Sequence, residues 1–562
     1  MRPSEPGHSG VLRISVEPSA GALGEKAMEL IGRQVGARSS VRVEASADAD
    51  LVFAVASDLQ PESYRIDGSA GGPQWVEGGD GRGVIYGAGR WLREAQFRDG
   101  CVLPGVWRGT SVPRNPIRGM YFATHFHNYY HNAPVAEVQR YVEELALYGC
   151  NCLSVWFDLH HFAGIDDPDA QEMIRRLRDI LEAANAAGMG ASLTLLANEG
   201  FTTTPDALKA TNAAQNGYFR PPGGFYNTEI CPSQPGGLDL ILRNRHEVLS
   251  AFAGIEFDAI WIWPYDQGAC TCADCAPWGA NGFLRTAEPV AEAIQEHFPT
   301  SRVILSTWYF DRFIEGEWAA FHRWVDRVKP SWFDILMIDG YQGFPTYPLE
   351  HGVPGAFPVV GFPEISMEGN GPWGGYGANP RPDHWAKYWA DCRHLQTGSF
   401  PYSEGFYEDI NKFLMLQLNW QPDREVDSIL KEYASAWFGS EFAGELVTVF
   451  HLMEADEGTR FAGVNETAQT RDAAPEFRNA GGLPHAEECE EIVAAIDRQL
   501  PEAVRASWRW RLIRLRARID AELKRTDLRF SHALDDAFLE LADMYHATPD
   551  ATRGCVLPPR RP

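Results

Sequence analysis

Long apolar runs are missing from this chain. Nowhere do about 18 apolar residues follow one another, so no bilayer-crossing helix is expected. The opening residues, MRPSEPGHSG, contain no apolar core of a secretory leader, and a cytoplasmic location is therefore the expectation. Positive charge is also scarce. With 50 Lys+Arg against 76 Asp+Glu the formal net charge is −26, which argues against nucleic acid or an anionic membrane as a partner. Cysteine is too sparse for a disulfide scaffold, ten residues in 562, so in a reducing compartment the thiols should be free or metal-bound.

What is present in quantity is aromatic: 18 Trp and 19 Tyr. Such residues fill cores, and they also suit a pocket that stacks on the flat apolar face of a sugar ring. The remaining composition, 44% hydrophobic and 22% charged, is that of a globular protein, long enough for roughly two to four domains. One basic run, Arg505–Arg525, places Trp508, Leu512, Leu515, Ile519 and Leu523 at helical spacing. It reads as an amphipathic helix with a solvated charged face.

Residues 1–112 read as a small α/β domain. VLRISVE and ADLVFAVA are strands around a helix at Ala22–Val35, and SYRID with QWVEGG suggests a hairpin. GRGVIYGAGRWLRE is expected to run from a glycine-rich turn into a helix. It lacks the GxGxxG spacing of a nucleotide loop, so its glycines suggest close backbone packing.

From residue 113 to 424 strand and helix patterns alternate, the signature of a parallel sheet. IRGMYFAT, CNCLSVWFDL, GASLTLLANE, DAIWIW, RVILSTWYF, FDILMIDGY, PVVGFPEI and GSFPYSEG supply eight strands. That count, with helices between most of them, predicts a closed (β/α)8 TIM barrel of the α/β class. The Pro/Gly-rich link from the sixth strand to the seventh predicts a missing outer helix, and the long loop 200–235 suggests a binding loop. Residues 425–562 are helical in pattern and are expected to form a C-terminal α-helical domain.

In such a barrel the chemistry sits at the C-terminal ends of the strands. Acids recur there: Asp158, Glu199, Asp266, Asp339, Glu364 and Glu404. Aromatics accompany them: Trp156, Trp263, Tyr265, Trp308, Tyr341 and Tyr402, with Trp373 and Tyr376 in the following loops. Any one of these acids would serve as a helix cap or surface charge, but a ring of acids among aromatics is what glycoside hydrolysis requires. One carboxylic acid protonates the leaving oxygen, a second acts as base or nucleophile, and aromatic faces hold the ring. Asp266 would need a raised pKa to act as the acid at neutral pH, which burial among Trp261, Trp263 and Tyr265 would favour.

Three segments, GVIYGAGRWLRE at the domain junction, WIWPYDQGAC at the fourth strand and YSEGFYEDINKFLMLQLNWQPD at the eighth, carry a family resemblance. The chain resembles the sugar hydrolases related to the alpha-glucuronidases and beta-hexosaminidases. The resemblance implies a hexosaminidase-like N-terminal α/β domain, a catalytic barrel and, as in the glucuronidase branch, a helical C-terminal domain. It implies Asp266 as general acid after the fourth strand, with Asp339 and Glu364 as bases and Asp266 with Glu364 as the main pair. Glu404 completes the candidate catalytic acids. The hexosaminidases carry two adjacent acids after the fourth strand, whereas this chain has Tyr265-Asp266, which weakens a substrate-assisted mechanism on 2-acetamido sugars.

Cys270-x-Cys272-x-x-Cys275 is a thiol cluster of the kind that binds Zn²⁺, with Cys231 the expected fourth ligand and His160 or His161 as alternatives. Unliganded thiols are the competing reading. A structural Zn²⁺ is the one cofactor considered, and no organic cofactor is expected. His125-x-His127 is similar to the metal pair of amidohydrolase barrels, but that class also needs histidines at the fifth and sixth strands, where this chain has TWYFD and MIDGY. His125, His127 and Asn128 suit hydrogen bonding to substrate hydroxyls or buried structural roles. A uronic acid would call for an arginine in the pocket, and the sequence does not choose among Arg118, Arg220 and Arg302.

The function read from the sequence is an exo-acting glycoside hydrolase removing a terminal sugar from an oligosaccharide or glycoconjugate. The alternatives are a non-catalytic carbohydrate-binding barrel and a metal-dependent amidohydrolase-type enzyme. A second copy of the chain is left open as a partner.

Overall fold

The computed structural model describes residues 7–68, 72–98, 100–125, 128–212, 227–265, 269–340, 343–366, 377–457, 460–462, 476–479, 481–529 and 531–546. The N-terminal part is a six-stranded sheet in the order Arg42–Ala45, Val11–Val16, Leu51–Val55, Gln74–Gly78, Tyr64–Gly68, Gly109–Ser111. Its first four strands are parallel and the last two join antiparallel, so the SYRID/QWVEGG hairpin forms. Helix Gly21–Arg38 packs on it through Ala27, Leu30, Ile31 and Val35.

The glycine-rich segment is helical throughout, from Gly81 to Glu94. The expected turn is absent because Asp80 caps the helix directly, its Oδ1 accepting from the Gly83 amide at 2.8 Å. The close packing expected of its glycines is present: a Cβ on Gly89 would lie 1.9 Å from the Leu147 carbonyl oxygen. Two helices therefore touch backbone to backbone where this sheet domain meets the barrel.

Eight parallel strands close the barrel: Ile117–Phe122, Cys152–Trp156, Gly190–Leu196, Phe257–Trp263, Arg302–Ser306, Ile335–Gly340, Val359–Pro363, and an eighth in two pieces, Gly398–Ser399 and Tyr402–Ser403. The first strand closes the ring by pairing with the second (Gly119↔Cys152) and with both pieces of the eighth (Ile117↔Gly398, Tyr121↔Tyr402). The eighth strand was expected to be continuous. It breaks around Pro401, which has no N–H to give the ladder, although its carbonyl still accepts from Tyr121 at 3.0 Å. The sixth-to-seventh connection retains a reduced outer helix, Thr346–His351.

Side chains of alternate strand residues fill the interior. In a lower layer Trp261 donates its indole N–H to Ser192 Oγ at 2.7 Å and meets Phe400 edge-on at 4.8 Å. Above it Tyr121 is stacked between Trp263 (6.3 Å, 24°) and Tyr402 (5.7 Å, 19°). Phe362 meets Tyr121 edge-on at 5.0 Å, and Trp308 lies 5.3 Å from Trp263. These rings plug the barrel just below its C-terminal rim.

Beyond the barrel come helices Val426–Phe438, Ala443–Ala455, Ala486–Asp497, Trp508–Arg525 and His532–Met544. Leu512, Leu515, Ile519 and Leu523 are buried as their spacing predicts. The charged face of the Trp508–Arg525 helix is not wholly solvated, however. Arg509 and Arg516 are buried, and each is paired: Arg509 with Asp409 (2.8 Å) and Glu144 (2.6 Å), Arg516 with Asp520 (2.6 Å). A buried guanidinium is tolerated only with such partners, and these can come from distant segments. Among the described residues no helix is long and apolar enough to cross a membrane.

Candidate active site

Strand alternation decides which side chains stand over the aromatic plug. Asp158, Glu364 and Glu404 each follow an inward-facing ring, Trp156, Phe362 and Tyr402, by two residues, so each faces the mouth one step higher. All three are buried. The contacts agree: Glu364 bridges to Tyr402 in parallel register, and the Tyr402 hydroxyl donates to Glu404 Oε1 at 2.9 Å. Asp339, at the end of the sixth strand, is half-buried and accepts from the Tyr309 amide at 3.2 Å.

Glu404 is held by a polar network that the sequence reading missed. The Tyr407 hydroxyl reaches its second oxygen at 3.2 Å. Glu408 Oε1 accepts from the Glu404 amide (2.9 Å), the Gly405 amide (3.2 Å) and the Ser403 hydroxyl (2.5 Å). Lys412 sits 3.4 Å from Glu408 and donates to the Tyr141 hydroxyl at 2.9 Å. Asp409 next to it accepts from Tyr141 and Tyr433, each at 2.8 Å, and pairs with Arg509. The sequence signal is the placing of Glu408, Asp409 and Lys412 at the head of the apolar-rich stretch FLMLQLNW. The structure buries every residue of the helix, Asp409–Trp420, and buried charges of this kind need partners.

Asp158, at the end of the second strand and so one strand removed from the eighth, lies among histidines. His161 Nε2 is 3.0 Å from its Oδ2 and His160 Nε2 is 3.7 Å away. Burial alone would raise the Asp158 pKa, but His161, with His160 and His125, outweighs it and holds the carboxyl well below its usual range. His160 Nδ1 is 2.8 Å from Glu199 Oε1. Burial pulls His160 down, yet Glu199 and Asp158 leave it raised above its ordinary value. His125, its ring centroid 4.2 Å from Trp156, is pushed down by burial to about 3 and is therefore a neutral imidazole.

Two expected contact residues are engaged elsewhere. Asn128 Oδ1 accepts from the Tyr130 amide (3.0 Å) and its Nδ2 donates to the Ala123 carbonyl (2.9 Å), a helix-capping role. The Tyr265 hydroxyl donates to Glu317 Oε1 at 2.6 Å, so it braces the following loop. Trp156, Trp263 and Trp308 are in the plug, and the buried indole N–H groups of Trp156 and Trp263 meet no acceptor among the described residues. Arg118 and Arg302 lie at the N-terminal ends of the first and fifth strands, away from the mouth, where Arg118 pairs with Glu62. Asp266, His127, Tyr341, Trp373, Tyr376 and Arg220 lie outside the described residues.

The four cysteines singled out by spacing do come together. The Sγ atoms of Cys231, Cys270, Cys272 and Cys275 all lie within 4.8 Å of one another. His160 and His161 are taken by Glu199 and Asp158 and do not join them.

No family model matches the sequence, and no curated protein matches it. Solved structures do share its architecture. A family GH115 4-O-methyl-alpha-glucuronidase with specificity for decorated arabinogalactans superposes with a TM-score of 0.60 at 12% identity, over 97% of this chain and 78% of that one. A family 89 glycoside hydrolase from Clostridium perfringens gives a TM-score of 0.60 at 11% identity, over 94% of this chain and 65% of that one. A beta-N-acetylhexosaminidase from Bacteroides fragilis gives 0.50 at 14% identity, over 79% and 94%. At these identities the likeness establishes the fold: a closed eight-stranded parallel barrel between an N-terminal α/β sheet and C-terminal helices.

Proposed function

We propose that the protein is a glycoside hydrolase that releases a terminal sugar from an oligosaccharide or glycoconjugate at the C-terminal mouth of its barrel. The observation that carries this reading is the set of buried carboxylates, Asp158, Glu364 and Glu404, standing one step above a floor of aromatic rings. The plug gives the mouth a blind end. A sugar ring can stack on the aromatics with the acids around its edge. The fold neighbours named as a glucuronidase and a hexosaminidase support the class of chemistry.

In this reading Asp266, three residues past the fourth strand in sequence, protonates the leaving oxygen, and Glu364 is the base or nucleophile on the opposite face. Glu404, fixed by two tyrosine hydroxyls, and Asp339 bear on the same centre. Asp158 stays ionised beside its histidines and is therefore unsuited to donate a proton. Its charge, with the neutral imidazole of His125, suits holding sugar hydroxyls and the positive charge that develops at the ring.

A panel of aryl glycosides and oligosaccharides, assayed for monosaccharide release, tests the proposal. On a cleaved substrate, Asp266→Asn and Glu364→Gln should each lower kcat/KM by about 10²–10⁴-fold. Wild-type turnover surviving in both variants would end the assignment, and sugar binding with no release by the wild type would favour a carbohydrate-binding barrel.

A further inference from the structure

Two separate loops bring four thiols to one point beside the third and fourth barrel strands. Cys231 precedes helix Gly237–Ala251, while Cys270, Cys272 and Cys275 follow the fourth strand. Cys231 Sγ lies 3.8 Å from Cys272 Sγ and 3.9 Å from Cys275 Sγ. Four sulfurs bound at about 2.3 Å to one tetrahedral cation stand about 3.8 Å from each other. Two of the separations thus match a tetrathiolate shell, and all of them fall within 4.8 Å.

We infer that Cys231, Cys270, Cys272 and Cys275 bind a structural zinc ion that ties the loop after the third barrel strand to the loop after the fourth. An all-sulfur set is soft and suits Zn²⁺ over the oxygen-preferring divalent cations. With four protein ligands it leaves no open position, which marks a structural rather than a catalytic site.

The surroundings fit this use. The Cys272–Cys275 segment is folded as a tight turn, the amides of Cys275 and Ala276 both donating to the Cys272 carbonyl, at 3.0 and 2.9 Å. Four thiolates around one Zn²⁺ carry a net charge of about −2, and such charge needs donors and cations behind it. Ser233 Oγ lies 3.1 Å from Cys275 Sγ, and Arg285 Nη2 donates to that hydroxyl at 3.4 Å. The two loops are also fastened independently of the metal, with the Thr271 amide and hydroxyl both donating to the Thr211 carbonyl at 2.8 Å. The sulfurs are thus presented by prepared backbone on both sides.

The test uses the full chain purified without chelators. Elemental analysis should find about one zinc per chain, and replacement by cobalt(II) should produce the visible bands of a tetrahedral thiolate complex. Cys272→Ser should lower metal content at least about tenfold. Cys272→His, which keeps a fourth ligand, should retain it, as should Cys101→Ser outside the cluster. Chelation should lower the melting temperature of the wild type but not of Cys272→Ser. Zinc well below one per chain in the wild type, iron in its place, disulfides among the four cysteines, or full zinc retention in both Cys272→Ser and Cys231→Ser would each overturn the assignment. These readouts do not involve turnover, so they stand or fall apart from the glycosidase proposal.

Discussion

Asn198 and Ala269 are joined in both directions: the Ala269 amide donates to Asn198 Oδ1 at 3.0 Å, and Asn198 Nδ2 donates to the Ala269 carbonyl at 3.1 Å. The same Nδ2 donates to the Ile230 carbonyl at 2.9 Å. One buried amide past the third strand thus fastens the residues next to Cys231 and Cys270. It also holds Ala269 at φ 107°, a conformation that residues with a Cβ rarely adopt.

Removing that amide leaves buried backbone groups without partners. Asn198→Ala should destabilise the chain by on the order of 3 kcal/mol. Ala269→Gly should stabilise it by about 1 kcal/mol through relief of the backbone. Urea denaturation measures both, and an Asn198→Ala midpoint equal to wild type would show that the clamp contributes nothing.

Glu404 depends on two phenols for its orientation. Tyr402→Phe and Tyr407→Phe each delete one donor to its carboxylate while keeping the ring. If Glu404 bears on the reacting centre, each variant should lose about tenfold in kcat, with KM little changed and stability within about 1 kcal/mol of wild type. A fall in stability with unaltered kcat would assign the pair a purely structural role.

Glu317 carries a pH signature. Burial pushes it up to about 8 despite the hydrogen bonds from Tyr265 and Gly279, against an ordinary value of 4.5. Between those two values the folded chain keeps a proton that the unfolded chain has lost, so stability declines as pH rises through the window. A glutamine carbonyl accepts the same two bonds. Glu317→Gln should therefore match wild type near pH 4 and exceed it above pH 8 by on the order of a few kcal/mol. Parallel denaturation curves across that range would exclude a buried, proton-retaining Glu317.

His160 gives the opposite kind of test, since its partners are anions. Its pKa is raised in the fold, so its contribution is complete below about pH 6.5 and disappears as pH climbs through the raised value. Asp158, depressed in the fold, contributes above about pH 4 and loses this as pH falls further. His160→Gln should accordingly cost more stability at about pH 5.5 than at about pH 9. Thermal melts at the two pH values compare directly, and an equal deficit at both would mean that His160 is not charged in the fold.

Much of the architecture was legible because it rests on local spacing. Runs such as DAIWIW and PVVGFPEI are apolar on both faces, as barrel strands must be, and Ile174, Leu177, Ile180 and Leu181 mark a helix, Pro168–Ala186, that buries all four. The thiol cluster was legible for the same reason, since three of its members share one short loop. Tyr265 and Asn128 read as mouth residues because each stands near a strand end, but position along the chain says nothing of Glu317, 52 residues away, or of the backbone that Asn128 caps.

By itself the sequence determined the strand and helix segments, their order, and which acids stand two residues beyond an inward aromatic, because these follow from backbone periods of two and 3.6. Only the tertiary structure decided the partners of the polar side chains: Arg509 with Asp409, Glu408 with the Glu404 amide, Asn198 with Ala269. A buried charge or amide must find a complement wherever the fold brings one within about 3 Å, and that proximity arises from packing between segments far apart in the chain.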